Sequence, residues 1–252
     1  MKPEVRVLAS TAAVARAAVN ELRRRARLAV AERGRCAVAL SGGSTPRLLF
    51  RELATAAPGE IPWHQVHLFW SDERTVPPNH PDSNYRMAHE ELISRVNVPA
   101  ANVHRLRGED PDPARAAADY EADLRRFFDL QEGQLPRFDL VFLGMGADGH
   151  TASLFPGSEG LTQQQHLVVA PWVATLKSRR LTLTARAINH AACVVFLVAG
   201  EDKAATLRRV LAGPPRPLEL PSQGIEPSDG ELLWLVDAAA ARLLPPRPPL
   251  QR

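Results

Sequence analysis

The segment GMGADGH at 144–150 places a histidine and an aspartate among three glycines, directly after the apolar run FDLVFL at 138–143. The ordinary pKa of histidine lies closest to neutral pH among side chains, so His150 can take a proton from water and return one to a leaving oxygen. An isolated histidine is more often structural, but a glycine-flanked histidine close to Asp148 at a strand end favours general base catalysis. We therefore predict His150 and Asp148 as catalytic residues.

The three glycines of this segment also match the G-x-G-x-x-G pattern of dinucleotide-binding proteins. Such a site needs a full helix after the third glycine and an acidic residue about 20 residues further on. Pro156-Gly157 interrupts any helix soon after it begins, and residues 166–176 contain no acid. We interpret the glycines instead as residues that let the chain turn sharply and present the aspartate and the histidine.

A second segment, SGGSTP at 41–46, joins the apolar run CAVAL to a predicted helix. Gly42 and Gly43 let the backbone approach an anion closely, and the start of the following helix offers free N–H groups and a favourable dipole. Ser44 and Thr45 add hydroxyl donors. The segment predicts a phosphate-binding loop, with a simple capped turn as the alternative. The Walker A spacing is absent, so nucleoside triphosphate binding is not indicated.

A third segment, SDERTVP at 71–77, leaves the end of the apolar run VHLFW. Ligands of open α/β sheets bind at the carboxyl ends of the strands, so we expect this segment to share a cleft with the glycine loop. Arg74 is predicted to bind a charged substrate. Asp72 is predicted to accept hydrogen bonds from sugar hydroxyls or to orient another side chain. The alternative is a surface turn in which Asp82 or Ser83 caps the next helix.

Two basic side chains stand near further strand ends, Arg180 in KSRRLTLT and Lys203 in GEDK. We predict that both side chains bind a phosphate, Arg180 through two hydrogen bonds of its guanidinium and Lys203 as a point charge. Each residue alone is also typical of solvated surface charge. The eight histidines show no H-x-x-x-H spacing, and the two cysteines lie in apolar runs. No metal site is therefore indicated, and a G-x-S-x-G serine elbow is absent.

Apolar runs typical of buried strands alternate with helical patterns along the chain. This alternation predicts an α/β fold, a mainly parallel sheet with helices on both faces. We predict one domain over 1–244 and a proline-rich tail over 245–252. The predicted strands span 5–9, 36–40, 66–70, 138–143, 167–170, 181–184, 193–198 and 232–236, and the predicted helices about 11–33, 46–57, 83–95, 114–130 and 202–212.

The composition of the 252 residues, with 45% hydrophobic and 23% charged side chains, excludes a disordered or fibrous chain. The net charge of +3 is scattered, and its densest run, at Arg23–Arg25 and Arg27, is interpreted as a solvated helix face, so we predict no nucleic acid partner. No window resembles a membrane span or a signal peptide. We therefore expect a cytoplasmic protein without a membrane partner.

Six segments together resemble the 6-phosphogluconolactonase family, within the wider group that includes glucosamine-6-phosphate deaminase. Any one of them is weak, but their common order is specific. The segments are SGGSTP at 41–46, SDERTVPPNHPDSNYRMA at 71–88, GMGADGHTASLFPGS at 144–158, RRLTLT at 179–184, GEDKAATL at 200–207 and WLVDAAAA at 234–241.

The resemblance implies a modified Rossmann-like sheet and hydrolysis of 6-phospho-D-glucono-1,5-lactone to 6-phospho-D-gluconate without a metal or organic cofactor. Separately from the resemblance, we expect a monomer or a weak homo-oligomer. His150 matches the general base of the family, with Asp148 beside it. Asp72 and Arg74 match an acidic and basic pair that contacts substrate. The positions associated with the sugar phosphate are Gly42, Gly43, Ser44, Thr45, Arg180 and Lys203.

Two alternatives remain. A deaminase-like sugar-phosphate isomerase would share the fold, but deaminases typically carry tyrosine after the acids of the third segment, where this chain has Arg74. A non-catalytic sugar-phosphate-binding module would have lost the base or the phosphate ligands, and the sequence retains both. A lactone substrate is therefore favoured.

Overall fold

A computed structural model describes residues 3–245, and within that range we number ten strands and seven helices in chain order. The strands are β1 Glu4–Leu8, β2 Cys36–Leu40, β3 Val66–Trp70, β4 Asp72–Arg74, β5 Leu140–Gly144, β6 Val168–Val169, β7 Trp172–Val173, β8 Ser178–Leu183, β9 Cys193–Val198 and β10 Glu231–Asp237. The helices are α1 Thr11–Arg33, α2 Ser44–Ala54, α3 Asn84–Glu91, α4 Pro113–Phe128, α5 Ala185–Ile188, α6 Ala204–Ala212 and α7 Ala238–Ala241.

Six strands form a parallel central sheet in the order β1-β10-β9-β5-β2-β3. The inner strands β2 and β9 are buried along their whole length, as expected for strands covered on both faces. Helices flank this sheet, and the helix α1 packs against β9, β10 and α2. The structure confirms the predicted α/β fold, and β2, β3 and β9 have the predicted bounds.

A small antiparallel sheet stands beside the carboxyl end of β3, in the order β4-β8-β6 with β7 also paired to β8. The single residue Ser71 separates β3 from β4, and its N–H still donates to Leu40 O at 2.8 Å. The carbonyl of Ser71 accepts from Leu183 N in β8 at 2.8 Å. Residues 72–74, for which we predicted no strand, form one because β8 offers them a pairing edge.

The helix α1 begins after the N-cap Ser10 and ends at Gly34, which adopts the left-handed conformation at φ 71°. One face of this helix is buried, from Val14 to Ala29, but its arginine run is not wholly solvated. Arg25 is buried, and its guanidinium lies 2.7 Å from the Glu231 carboxylate at the start of β10. The interpretation of a fully solvated helix face is wrong at this position, because the edge of the buried face lies within reach of an acid from the sheet.

The predicted helix over 83–95 ends earlier, at Glu91, and a short 3₁₀ turn follows at Ile93–Arg95. The helix predicted from residue 46 begins at Ser44, so the hydroxyl residues of the glycine loop form its first turn. Within residues 3–245 no helix is both long and apolar enough to cross a membrane. The proline-rich tail predicted over 245–252 lies outside the described residues except for Pro245.

Candidate active site

The carboxyl ends of β2, β5 and β9 and the small sheet enclose one cavity of about 220 Å³. Four distant stretches of the chain line it, because parallel strands end at the same edge of the sheet. Eight of the ten predicted site residues are among its described lining residues, and Asp148 and Arg180 are not. The lining consists of 41–46, Asp72, Arg74, Asn84, 144–146, His150, Ala152, 197–199 and Lys203.

The glycine loop forms one wall of this cavity and leads directly into α2. Gly43 is the N-cap of α2 at φ 110°, a conformation that favours glycine. The first N–H groups of a helix have no acceptor within the helix, and among the described residues no side chain caps this end of α2. The wall therefore offers unpaired N–H donors and the positive end of a helix dipole, which suit an anion.

His150 and Asp148 form a close pair at the end of β5. The imidazole Nδ1 lies 2.6 Å from Asp148 Oδ1, and the backbone N–H of His150 donates to the same oxygen at 3.1 Å. These hydrogen bonds lower the pKa of Asp148 to about 2. The side chain of His150 is 31% exposed, so solvent reaches the imidazole.

The turn that carries this pair is held by its own backbone. Gly146 N donates to His150 O at 2.8 Å, and Gly149 adopts a left-handed φ of 85°. The Thr151 hydroxyl donates to Gly144 O at 2.8 Å and ties the end of the turn to β5. Because the N–H of Gly146 is already engaged, this group is not free to bind a substrate oxygen.

Asp72 is buried at the base of the cavity within a polar network. Its Oδ2 accepts a hydrogen bond from the Ser153 hydroxyl at 2.7 Å, and its backbone carbonyl accepts from Asn84 Nδ2 at 2.9 Å. The Ser153 N–H in turn donates to the Thr182 hydroxyl in β8 at 3.2 Å. Ser153 therefore connects the histidine turn to the small sheet. Our sequence reasoning missed both Asn84 and Ser153 as site residues, although they lie within the segments 71–88 and 144–158 that carry the family resemblance.

Glu73 faces the opposite side of β4 from Asp72 and holds the start of α3. Its carboxylate accepts from the N–H groups of Arg74, Asn84 and Tyr85 at 2.7 to 2.8 Å. Burial raises the pKa of Glu73, while these three N–H groups act in the lowering direction. Ser83 donates its hydroxyl to Glu73 and caps α3, as one of our alternatives predicted. Asp72 and Glu73 are thus buried within a strand and do not form a surface turn.

Arg74 and Arg180 pair across β4 and β8, directly opposite each other. The Arg74 guanidinium lines the cavity and donates to the Asp82 carbonyl. Arg180 instead turns toward its own strand, where it donates to the Ser178 hydroxyl at 2.9 Å. Burial and the neighbouring Arg74 lower the pKa of Arg180. The structure therefore places Arg180 next to Arg74 but not among the described lining residues of the cavity.

Lys203 lines the cavity from the side of β9, following a turn that begins at Gly200. Its ammonium lies 3.0 Å from the Asp202 carboxylate, and the Lys203 side chain is mostly covered. Asp237 fixes this turn, since its carboxylate accepts from Gly200 N at 3.1 Å. A lysine held at this place presents a positive charge to the same cavity as the glycine loop.

In the described part of the chain, no cluster of three or more histidine, cysteine or acidic side chains could hold a metal ion.

Comparisons with known proteins agree with this architecture. Residues 9–234 match the family model described as glucosamine-6-phosphate isomerases/6-phosphogluconolactonase. A Synechocystis protein named 6-phosphogluconolactonase is 42% identical over 247 residues, which cover 98% of this chain and 100% of the relative. The human protein of the same name is 41% identical over 216 residues, covering 84% of this chain and 82% of the relative.

Solved structures show the same fold. The 6-phosphogluconolactonase from Trypanosoma cruzi superposes with a TM-score of 0.85 at 28% identity, covering 96% of each chain. The enzyme of that name from Thermotoga maritima gives a TM-score of 0.78 at 32% identity, covering 94% of this chain and 100% of the other. A monomeric glucosamine-6-phosphate deaminase at 18% identity shares the fold alone. These matches confirm the resemblance of the six segments, and the chain belongs to the glucosamine-6-phosphate isomerase/6-phosphogluconolactonase family.

Proposed function

We propose that this chain hydrolyses 6-phospho-D-glucono-1,5-lactone to 6-phospho-D-gluconate, the second step of the oxidative pentose phosphate pathway. Relatives named 6-phosphogluconolactonase, matched over nearly the whole chain, support this activity. The site assignment rests on one observation: the glycine loop and His150 line the same cavity. An anion-binding wall and an acid–base group thus face the same small space, as a phosphorylated ester requires.

In this proposal the glycine loop and Lys203 hold the phosphate of the substrate. The N–H groups at the start of α2 are the donors, and the lysine adds a charge-assisted hydrogen bond. Binding energy at the phosphate, which does not react, orients the lactone ring at the other end of the cavity. Asp72 accepts hydrogen bonds from ring hydroxyls, and Arg74 contributes a positive charge near the same wall.

His150 acts as the general base, and the pair geometry sets its tautomer. The low pKa of Asp148, about 2, keeps this carboxylate ionised at neutral pH, so it can only accept a hydrogen bond. The imidazole therefore carries its proton on Nδ1 and keeps the Nε2 lone pair for a water molecule. Asp148 also stabilises the imidazolium that forms when the water proton is transferred.

The reaction then proceeds in two proton transfers. Water oxygen attacks the lactone carbonyl carbon while Nε2 of His150 takes its proton, which produces a tetrahedral oxyanion. The bond from that carbon to the ring oxygen then breaks, and Nε2 returns the proton to the ring oxygen, which becomes a hydroxyl of the open chain. A general base of this kind accelerates such a step by about 10²–10⁴-fold.

A coupled assay tests the proposal. Fresh lactone is supplied, and 6-phosphogluconate dehydrogenase reports the product, with spontaneous hydrolysis subtracted. We expect the wild-type protein to accelerate product formation and His150→Gln to lose about 10²-fold or more in kcat. His64→Gln is the matched control, because His64 is exposed just before β3 and does not line the cavity. A wild-type rate no faster than spontaneous hydrolysis would contradict the lactonase proposal and favour a sugar-phosphate-binding module.

Under this proposal the protein is a cytoplasmic enzyme that uses no metal or organic cofactor. It is a monomer or weak homo-oligomer and does not bind nucleic acid. His150 and Asp148 supply the acid–base chemistry by themselves. We therefore expect kcat to be unchanged after exhaustive dialysis against a chelator, and a loss that added divalent metal restores would refute the cofactor-free mechanism. Light scattering at micromolar concentration measures the oligomeric state.

A further inference from the structure

The ring of Phe155 stacks on the imidazole of His150. The ring centroids are 4.3 Å apart, and the ring planes differ by 24°. Resting on the function proposed above, we propose that Phe155 is a positioning residue for the lactonase reaction, whose ring fixes the plane of the His150 imidazole. Phe155 itself does not line the described part of the cavity, so its effect passes through the histidine.

The Asp148 hydrogen bond alone does not fix this imidazole. It sets the direction of Nδ1 but leaves the ring able to swing about that direction, and the second torsion of a histidine side chain is soft. The side chain of Asp148 is itself 49% exposed. A flat contact from Phe155 restricts the remaining rotation. The hydrogen bond and the stack together aim Nε2 at one place.

Phe155 is not explained by core packing. Among the eight phenylalanines, all within residues 3–245, seven belong to the hydrophobic core or pack against it, and Phe155 is the exception. An aromatic ring contributes strongly to stability when it is buried in a core, so leaving one half-buried outside the core needs another reason. Contact with the histidine provides that reason.

The backbone between the two rings is shaped to bring Phe155 back to His150. Ala152 adopts a left-handed φ of 48°, a conformation that is unfavourable for residues other than glycine. Thr151 and Leu154 form a β-bridge across this turn, and the fully buried Leu154 anchors it. Ser158 N donates to the Phe155 carbonyl at 2.8 Å. A strained turn next to a cavity is a common feature of functional sites.

The experiment compares Phe155→Leu, which removes the flat ring, with Phe155→Tyr, which keeps it. In the coupled assay we expect Phe155→Leu to lower kcat by about 10-fold or more with little change in KM, because displacing a reacting group by about 1 Å can cost 10²-fold. Phe155→Tyr should retain most of the wild-type kcat. Phe127→Leu is the matched control, since Phe127 packs at the amino end of the sheet, against His67 and His104.

A second readout does not depend on activity. In the wild-type protein the Cε1–H proton of His150 should resonate upfield of an exposed histidine, because it lies over an aromatic ring. We expect Phe155→Leu to abolish this shift and Phe127→Leu to leave it in place. Phe155→Met offers a second flexible, non-aromatic variant if the leucine variant is unstable, and thermal unfolding of each variant verifies folding.

These readouts separate the two proposals. If Phe155→Leu or Phe155→Met keeps the wild-type kcat, or changes KM alone, the positioning role of Phe155 is refuted. The catalytic role of the histidine is tested separately by His150→Gln. If the tyrosine variant is as slow as the leucine variant, stacking is not the cause and the inference is overturned. If the wild type shows no lactonase activity, the proposed function fails, and an unshifted His150 resonance would refute the stack independently.

Discussion

Gly146 lies against the imidazole of His150 and leaves no room for a methyl group. A Cβ atom at residue 146 would stand 2.1 Å from His150 Nδ1 and 2.6 Å from Asp148 Oδ1. The backbone of Gly146 is not among the left-handed residues of the chain, so alanine can adopt its conformation. The glycine is needed here for space, since the catalytic pair we propose occupies the volume of its missing side chain.

Gly146→Ala should therefore separate the histidine from the aspartate without unfolding the protein. We expect kcat to fall by about 10²-fold, as is typical of a catalytic group displaced by about 1 Å. The coupled assay measures this loss. Gly224→Ala is the control, because its added methyl would meet nothing closer than 3.4 Å. Unchanged kcat in Gly146→Ala would show that the pair geometry is not required.

Lys203 and Arg180 were predicted to serve the same phosphate, but only Lys203 is among the described lining residues. We expect Lys203→Met to raise KM for the phosphorylated lactone by about 10- to 100-fold, since a hydrogen bond to a charged group contributes about 1.5–3 kcal/mol. Arg180→Met should raise it less. Hydrolysis of unphosphorylated glucono-1,5-lactone should change little in Lys203→Met. Equal effects of both variants on KM would indicate that Arg180 also binds the phosphate.

Gly42 is as tightly packed as Gly146, in this case against Asn84. A Cβ atom on Gly42 would lie 1.9 Å from Asn84 Oδ1. We expect Gly42→Ala to lower the free energy of unfolding by about 1–3 kcal/mol through this overlap. Asn84→Ala removes the overlapping amide, so the double variant should be more stable than the sum of the two single effects predicts.

Urea unfolding of the two single variants and the double variant measures this coupling. The expected interaction energy exceeds about 0.5 kcal/mol, because residues in contact depart from additivity by more than that. Additive effects would show that the glycine loop and the start of α3 are not in contact.

His67 and His104 form a pair away from the candidate site, with His67 Nδ1 3.2 Å from His104 Nε2. Burial lowers the pKa of His67 to about 4, and His104 and Arg35 act in the same direction. Between about pH 6.5 and pH 4 the unfolded chain therefore binds more protons at this position than the folded chain. Stability should be fully present above this window and should fall as the pH decreases through it.

His67→Phe should remove part of that decrease, because the replacement cannot take up a proton. Urea unfolding at pH 7.5, 5.5 and 4.5 gives the slope of the unfolding free energy for each protein. His64→Gln, at an exposed position, should keep the wild-type slope. A slope that is the same in His67→Phe and the wild type would mean that other groups cause the loss of stability in acid.

Local residue patterns were enough to predict the central sheet and the motifs at the ends of its strands. Runs such as CAVAL and CVVFLV are apolar throughout, which only a strand covered on both faces tolerates, and they became β2 and β9 with the predicted bounds. Parallel strands end at one edge, so the glycine loop and His150 had to approach each other. These features follow from local residue patterns and from one rule of topology.

Which side chains share the cavity, and which contacts hold them there, follows only from the folded structure. The pairing of Arg74 with Arg180, the bond from Ser153 to Asp72 and the stack of Phe155 on His150 all depend on how two segments come together. Such contacts depend on strand register and backbone turns, because moving a strand by one residue reverses the direction of its side chains. Local patterns carry no information about that register, so these relationships appear only when the chain is folded.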